Sequence, residues 1–306
     1  MKNNILLIIF IAFGLNAFGQ QEVQFTHYAY HKLAYNPAVA GSLGNGVLGA
    51  IYRNQWSGIP GAPRTGSIYG HMPIMNDKAG VGLYLTNDRL GFTSSNFAAI
   101  SYAYRMKIGY GMTLSLGLQG EIEHTSLDWS KADPNSVNDQ IIGSGASNKV
   151  GGNAGAGLYL QHRKFFFGFS VPRLFKNTLY RNVGNTLSNR DFRSYFISGG
   201  ANVPLTNNVT LVPMALISFG PSIPASVDLG ANFLFFQKIS VGANWRALDS
   251  FDGLVMLQLN KKIRAGFAYD FTSSPLKKST AGSWEVMLEY QFKCNDNEIV
   301  NSIRYF

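Results

Sequence analysis

The sequence contains one cysteine, Cys294, in 306 residues. That excludes an internal disulfide framework and any zinc site built on cysteine. Charge is scarce too. Asp, Glu, Lys and Arg make up 14% of the chain, well below the roughly one quarter usual for soluble domains. Past the N-terminus no stretch approaches eighteen uninterrupted apolar residues, so no transmembrane helix is expected. A Gly-x-Ser-x-Gly elbow and a Walker-type phosphate loop are both missing. His27 and His31 stand four apart, but no helical pattern supports a metal site there. "DPNSVND" (133–139) has Asp and Asn spacing that hints at calcium, yet it lacks the glycine and distal glutamate of a calcium loop and reads as a surface turn. No enzyme activity, metal or cofactor is expected. The net charge of +9 is scattered along the chain, which reads as a solvated rim and not a nucleic-acid surface.

Hydrophobic residues are 46% of the chain, glycines number 33 and aromatics are 13%. Disorder is excluded by that content, and together with the low charge it suggests many short strands facing lipid. Residues 1–19 read as a secretory signal: Lys2 supplies the positive start, Ile5 to Phe13 the apolar core, and Ala17-Phe18-Gly19 the cleavage site before Gln20. Cys294 is in the wrong place for a lipoprotein anchor.

From about residue 47 the chain alternates. In 112–124, Met112, Leu114, Leu116, Leu118 and Ile122 share one face, opposite Thr113, Ser115, Gly117, Gln119, Glu121 and Glu123. In 282–293, Trp284, Val286, Leu288, Tyr290 and Phe292 oppose Ser283, Glu285, Met287, Glu289, Gln291 and Lys293. A period of two over ten or more residues predicts strands. They are longer than soluble sheets use and long enough to cross a bilayer at a tilt.

About fourteen segments fit: 47–56, 65–74, 81–88, 94–107, 112–127, 149–163, 165–174, 191–204, 209–219, 226–236, 238–247, 253–261, 263–273 and 281–293. Connections such as "MNDKAG", "IGYG", "LTNN", "QK" and "KK" are short, and most of the intervening ones are longer. That layout predicts an all-β fold, a transmembrane antiparallel β-barrel of about 14 strands of the outer-membrane type. Both termini would be periplasmic and the long loops outside the cell. A soluble sandwich would use shorter strands and a more charged outer face. The chain then divides into the signal (1–19), an N-terminal periplasmic or plug segment (20–46), the barrel (47–293) and a tail (294–306) ending in an aromatic.

On the first hairpin, Tyr52 and Trp56 are expected to face lipid, with Arg53 and Gln55 inward beside Thr65, Ser67, Tyr69 and His71. An arginine inside a barrel needs an acid, and Asp88, Glu121, Glu123, Asp228, Asp270, Glu285 and Glu289 are the candidates. Pro60 and Pro63 fix φ while Gly58 and Gly61 permit tight bends, so the loop is stiff. Such a loop is either a protected strand end or a preorganised contact surface. Before the barrel, Phe25, Tyr28, Tyr30 and Tyr35 call for burial and Asn36-Pro37 for a turn. The candidate lumen or partner residues are therefore Arg53, Gln55, Trp56, Pro60, Pro63, Arg64, Tyr69, His71, Asn36 and Pro37.

"FTHYAYHKLAYNPAVAGS" (25–42), "YRNQWSGIPGAPRT" (52–65), "HMP" (71–73), "GVGLYLTNDRLGFTSSN" (80–96), "SYAYRMKI" (101–108), "EVMLEYQF" (285–292) and the final "RYF" carry a resemblance. They are similar to the PorP/SprF family of Bacteroidota outer-membrane proteins. The resemblance implies a role in type IX secretion and, in many members, gliding motility. It implies a partner as well, the C-terminal sorting domain of a secreted adhesin, with periplasmic secretion components as further partners. A porin-like channel for small solutes is the alternative reading. A hydrolase using His71 or His124 is a third.

Overall fold

The computed structural model describes residues 23–109, 111–128, 146–175, 193–221 and 223–294. The signal segment, the 133–139 stretch and the closing "RYF" lie outside those residues.

The strands, in chain order, are β1 (Gly46–Asn54), β2 (Arg64–Ile74), β3 (Ala79–Leu90), β4 (Thr93–Gly109) and β5 (Met112–Asp128). Next come β6 (Ala146–Gln161), β7 (Phe165–Val171), β8 (Tyr195–Ala201), β9 (Val203–Pro204) and β10 (Val209–Gly220). β11 (Ile223–Phe235), β12 (Ile239–Arg246), β13 (Ser250–Gln258), β14 (Ile263–Thr272) and β15 (Ser283–Phe292) complete the wall. β9 continues β8 past Asn202, and both pair with β10. Each strand runs antiparallel to its neighbour, and β1 pairs with β15 from Gly46↔Phe292 to Asn54↔Trp284. The result is a closed barrel of fourteen staves.

The alternation seen in the sequence becomes an inside-out burial pattern. Ile100 and Leu118 are 69% and 66% exposed on the outer wall, whereas Ser101 and Gln119 beside them are buried. Apolar groups on the outside and polar ones inside are the arrangement a bilayer requires. Tyr52 and Trp284 meet on the outer wall at 5.5 Å between ring centroids, where an aromatic girdle belongs. Tight turns join strands at one end: Phe236 and Gln237 both sit at positive φ, 51° and 59°, the primed geometry that matches strand twist.

The wall is uneven. β1 has 9 residues and β15 has 10, while β4 and β5 have 17 each. About ten tilted residues cross the hydrocarbon, so β4 and β5 project beyond it.

Two expectations need correction. β13 begins at Ser250, not 253, because Ala247–Asp249 with Leu248 at φ 63° turns the chain sharply. β1 ends at Asn54, so Trp56 and Gln55 are not on the strand.

The core lies inside the barrel. Residues 25–42 thread the lumen with two 3-10 turns, Lys32–Ala34 and Pro37–Val39. Phe25, Tyr28, Leu33, Tyr35 and Val39 pack against Tyr69, Tyr84, Tyr159, Phe166 and Phe196 of the wall. Residues 25–42 are thus packed inside the barrel wall.

Candidate functional site

The plug is held in two different ways. Its first residues meet charge. Arg53 on β1 reaches across the β14 and β15 staves, with Nη2 donating to Asp270 Oδ2 at 2.5 Å and Nη1 to Glu285 Oε2 at 3.3 Å. Glu285 then accepts the backbone N–H of Thr26 and of His27, each at 3.0 Å, and lies 2.6 Å from His27 Nδ1. The Thr26 hydroxyl donates to Asp270 Oδ1 at 2.7 Å and accepts from Arg53 Nη1 at 3.0 Å. Asn244 Nδ2 donates to the Thr26 carbonyl at 3.1 Å. His27, Arg53 and Glu285 are buried almost completely. Removing one partner from such a cluster strands a buried charge, at about 3–5 kcal/mol.

Two further ion pairs extend this side. Arg246 Nε donates to Asp228 Oδ1 at 2.6 Å. Arg264 Nη2 lies 2.7 Å from Glu289 Oε1, and Glu289 Oε2 also accepts the Tyr69 hydroxyl at 2.8 Å. The Tyr69 ring sits 4.1 Å from the His31 ring.

The later plug residues meet backbone. Inward-facing Gly80, Gly117 and Gly157 leave room for the chain; an added Cβ would overlap the Ala40 carbonyl, the Ala38 amide and the Asn36 side chain respectively. Asn36 caps its own turn, with Oδ1 accepting from the Ala38 N–H, and donates from Nδ2 to the Leu158 carbonyl, both at 2.9 Å. Pro37 starts that turn, where its missing N–H costs nothing. Ser170 Oγ donates to the Tyr35 carbonyl at 2.6 Å and Arg105 Nη1 to the Gly41 carbonyl at 2.8 Å. His71 Nδ1 accepts from the Gly41 N–H at 3.2 Å.

Two plug side chains outside the strands carry shifted acidities. Burial pushes the His31 imidazole down to about 3 and the Lys32 ammonium down to about 7. Lys32 still donates to the Ala29 carbonyl at 2.6 Å and sits 4.8 Å above the Phe166 ring. In both, burial shifts the balance toward the neutral form.

At the loop-bearing mouth the 55–63 hairpin is tied on three sides. The Gln55 N–H donates to the Pro63 carbonyl at 3.0 Å, and the Gly91 N–H to the Gly61 carbonyl at 2.8 Å. The Ser57 N–H donates to the Gly282 carbonyl at 2.7 Å and the Ala281 N–H returns to the Ser57 carbonyl at 2.8 Å. Trp56, at φ 50°, donates its N–H to Ser283 Oγ at 3.0 Å. The loop is thus bonded to the β3–β4 turn and the β14–β15 loop.

The model of the type IX secretion system membrane protein PorP/SprF family matches residues 17–290, nearly the whole barrel and plug. The chain belongs to this family. It is therefore an outer-membrane component of the type IX secretion system. No curated protein matches the chain. Among solved structures it is similar to the CymD monoaromatic hydrocarbon channel, at 12% identity and TM-score 0.53, covering 90% of this chain and 96% of that one. The Ralstonia pickettii toluene transporter TbuX follows at 12% identity and TM-score 0.49, with 86% and 93% covered. Omp33 of Acinetobacter baumannii gives 10% identity and TM-score 0.47, with 82% and 98% covered. At such identity the first of these supports the barrel fold alone.

The expected site residues fall in three places. Arg53, Tyr69, His71, Asn36 and Pro37 come together around the plug. Gln55, Trp56, Pro60 and Pro63 belong to the mouth loop, off the strand. Because β1 has already ended, the strand's alternation does not assign Gln55 to the lumen or Trp56 to the lipid face, and both are half-buried. Arg64 is exposed on the outer wall and not in the lumen, since it is out of phase with inward Thr65.

Of the seven candidate acids for Arg53, Asp270 and Glu285 are its partners. Glu121 pairs with Arg173 at 3.0 Å, and Asp88 accepts from Thr65 at 2.6 Å. His71 and His124 are on opposite faces of the wall, so they do not form a common site.

Sequence reasoning missed Arg246, Arg264 and Asp252. Asp252 stands opposite Asp270 in register. A strand starting at 253 puts Asp252 in the preceding turn, whereas β13 begins at Ser250 and carries it inward. The inward glycines were missed too, and their only signal was glycine at polar-phase positions of long strands.

Proposed function

We propose that this barrel binds the C-terminal sorting domain of a secreted surface adhesin and aids its secretion or retention at the cell surface. The role is one of binding, not catalysis. The chain termini would be periplasmic and the 55–63 loop would face outward. The observation that carries this reading is the plug. A lumen filled by residues 25–42 suits a docking component better than a diffusion pore. The stiff mouth loop adds support, because a preorganised surface loses less entropy on binding.

The test is capture of a secreted protein's C-terminal domain by the full-length barrel from outer-membrane extracts. Enrichment of that domain is expected, together with a secretion or surface-retention defect in a deletion strain. No enrichment with intact secretion would overturn the reading. A large open conductance of the purified barrel in planar bilayers would instead favour a solute channel.

A further inference from the structure

The outer wall carries a concave groove of about 820 Å³ near the loop-bearing mouth. Register explains its shape. Tyr52, Gly66, Asn87, Asn96, His124 and Val150 form one outward row across β1–β6. The next row toward the membrane centre runs Leu288, Ala50, Ile68, Leu85, Ala98 and Ile122. Small side chains at Gly66, Ala50 and Ala98 make the hollow, and larger apolar ones border it. A Cβ at Gly66 would meet nothing within 4 Å, so the space there is open.

Directly above the groove, Arg64 and Arg89 are register partners on β2 and β3, and both are exposed. Cross-strand partners place their Cβ atoms about 4.5–5.5 Å apart, and like charges so placed repel. Neither arginine forms an ion pair among the described residues. Asp88, next in sequence to Arg89, turns inward to Thr65, and Asp128 is two strands away on β5. Between the arginines and the apolar floor, Asn87 Nδ2 donates to Asn96 Oδ1 at 2.8 Å on the outer face, with His124 opposite Asn96. Cationic groups, then polar groups, then an apolar hollow follow the order of a lipid's own parts.

We propose that this groove is a binding site for one anionic, phosphate-bearing lipid of the leaflet at the loop-bearing end. Its phosphate bridges Arg64 and Arg89 and relieves their repulsion. One acyl chain lies in the hollow over Gly66 and Ala98. Arginine suits the phosphate because its planar donors can engage two oxygens at once. The site is independent of the adhesin reading, since it is on the lipid face and not at the mouth or in the lumen.

The experiment is native mass spectrometry of the full-length barrel in detergent with added phosphatidylglycerol or phosphatidylcholine of equal chain length. One retained phosphatidylglycerol per barrel is expected, with phosphatidylcholine retained at least about fivefold less. Arg64→Gln with Arg89→Gln should lower phosphatidylglycerol retention about tenfold or more, consistent with about 1 kcal/mol per basic residue at an anionic surface. Gly66→Leu, which fills the hollow and keeps both arginines, should lower it severalfold. Inorganic phosphate at millimolar concentration should not displace the lipid. Heat-modifiable gel migration confirms that each variant is folded. Equal retention of the two lipids by wild type, or unchanged phosphatidylglycerol retention in the double-arginine variant, would overturn the proposal. Displacement by free phosphate would do so too, by reducing the site to an anion site without an acyl chain.

Discussion

The two halves of the plug seat solve one problem by opposite means. On the β13–β1 side the wall reaches in: Arg53, Asp270 and Glu285 extend to Thr26 and His27. On the β3–β6 side the wall withdraws: Gly80, Gly117 and Gly157 give up their side chains so that Asn36, Ala38 and Ala40 can lie against the strands. The first half is therefore sensitive to deletion of a group and the second to addition of one. The charged half also fixes direction, because a carboxylate accepting two consecutive N–H groups admits only one placement of that turn. The glycine half fixes depth, because the backbone stops where the wall begins.

Glu285→Gln should give the largest effect. It leaves His27 without its carboxylate and Arg53 with Asp270 alone, and we expect about 3–5 kcal/mol of destabilisation of the seated N-terminal plug turn. Hydrogen exchange at Thr26 and His27 should accelerate strongly, with exchange at Ala38 and Ala40 less changed. Equal acceleration at both ends would mean that the halves are not separable.

Gly117→Ala breaks the other half. The methyl meets the Ala38 backbone, a neighbour that cannot swing aside, and overpacking of this kind costs about 1–3 kcal/mol. Ala38 and Ala40 should lose protection while Thr26 keeps it. Combined with Glu285→Gln, the costs should add to within about half a kcal/mol if the halves act independently.

Acid provides a smaller, reversible handle. His31 has a seated pKa of about 3, below its free value near 6.5. The released plug thus binds the extra proton between these pH values, and seating weakens as pH falls through that window. From pH 6.5 to 5 the expected loss is about 2 kcal/mol. Lys32 acts at higher pH: its contribution declines as pH falls from about 10.5 to about 7. Exchange at the plug amides measured at pH 7.5 and 5, with His31→Phe as the variant that should flatten the difference, tests the assignment.

The smallest effect belongs to Thr65→Val. It removes the hydroxyl that donates to Asp88 at 2.6 Å; Thr65 is the register neighbour of Arg53, but none of the hydrogen bonds described for the plug anchor runs through it. A loss of about 1 kcal/mol in barrel stability with unchanged plug exchange is expected.

Much of the wall was legible beforehand because its signal is local. A strand inverts side-chain direction at every residue, so Leu116 and Leu118 against Ser115 and Gln119 already state which face meets lipid. The fourteen staves and their short turns follow from that period. It failed at β13, where "LVM" is apolar on both phases and the turn before it is tight, so the strand start and Asp252 were misplaced. It failed again at Trp56, because nothing in the alternation marks where pairing with Trp284 stops.

The sequence by itself determined that this chain alternates into a membrane barrel, that Arg53 points inward, and that Phe25 to Tyr35 must be buried. All three depend on neighbours a few residues apart. Only the tertiary structure decided which acids meet Arg53 and where the plug rests. Asp270 and Glu285 are 217 and 232 residues from Arg53 along the chain, and closure of β15 onto β1 alone brings them together. The inward glycines likewise acquire their meaning only once another part of the chain occupies the space they leave.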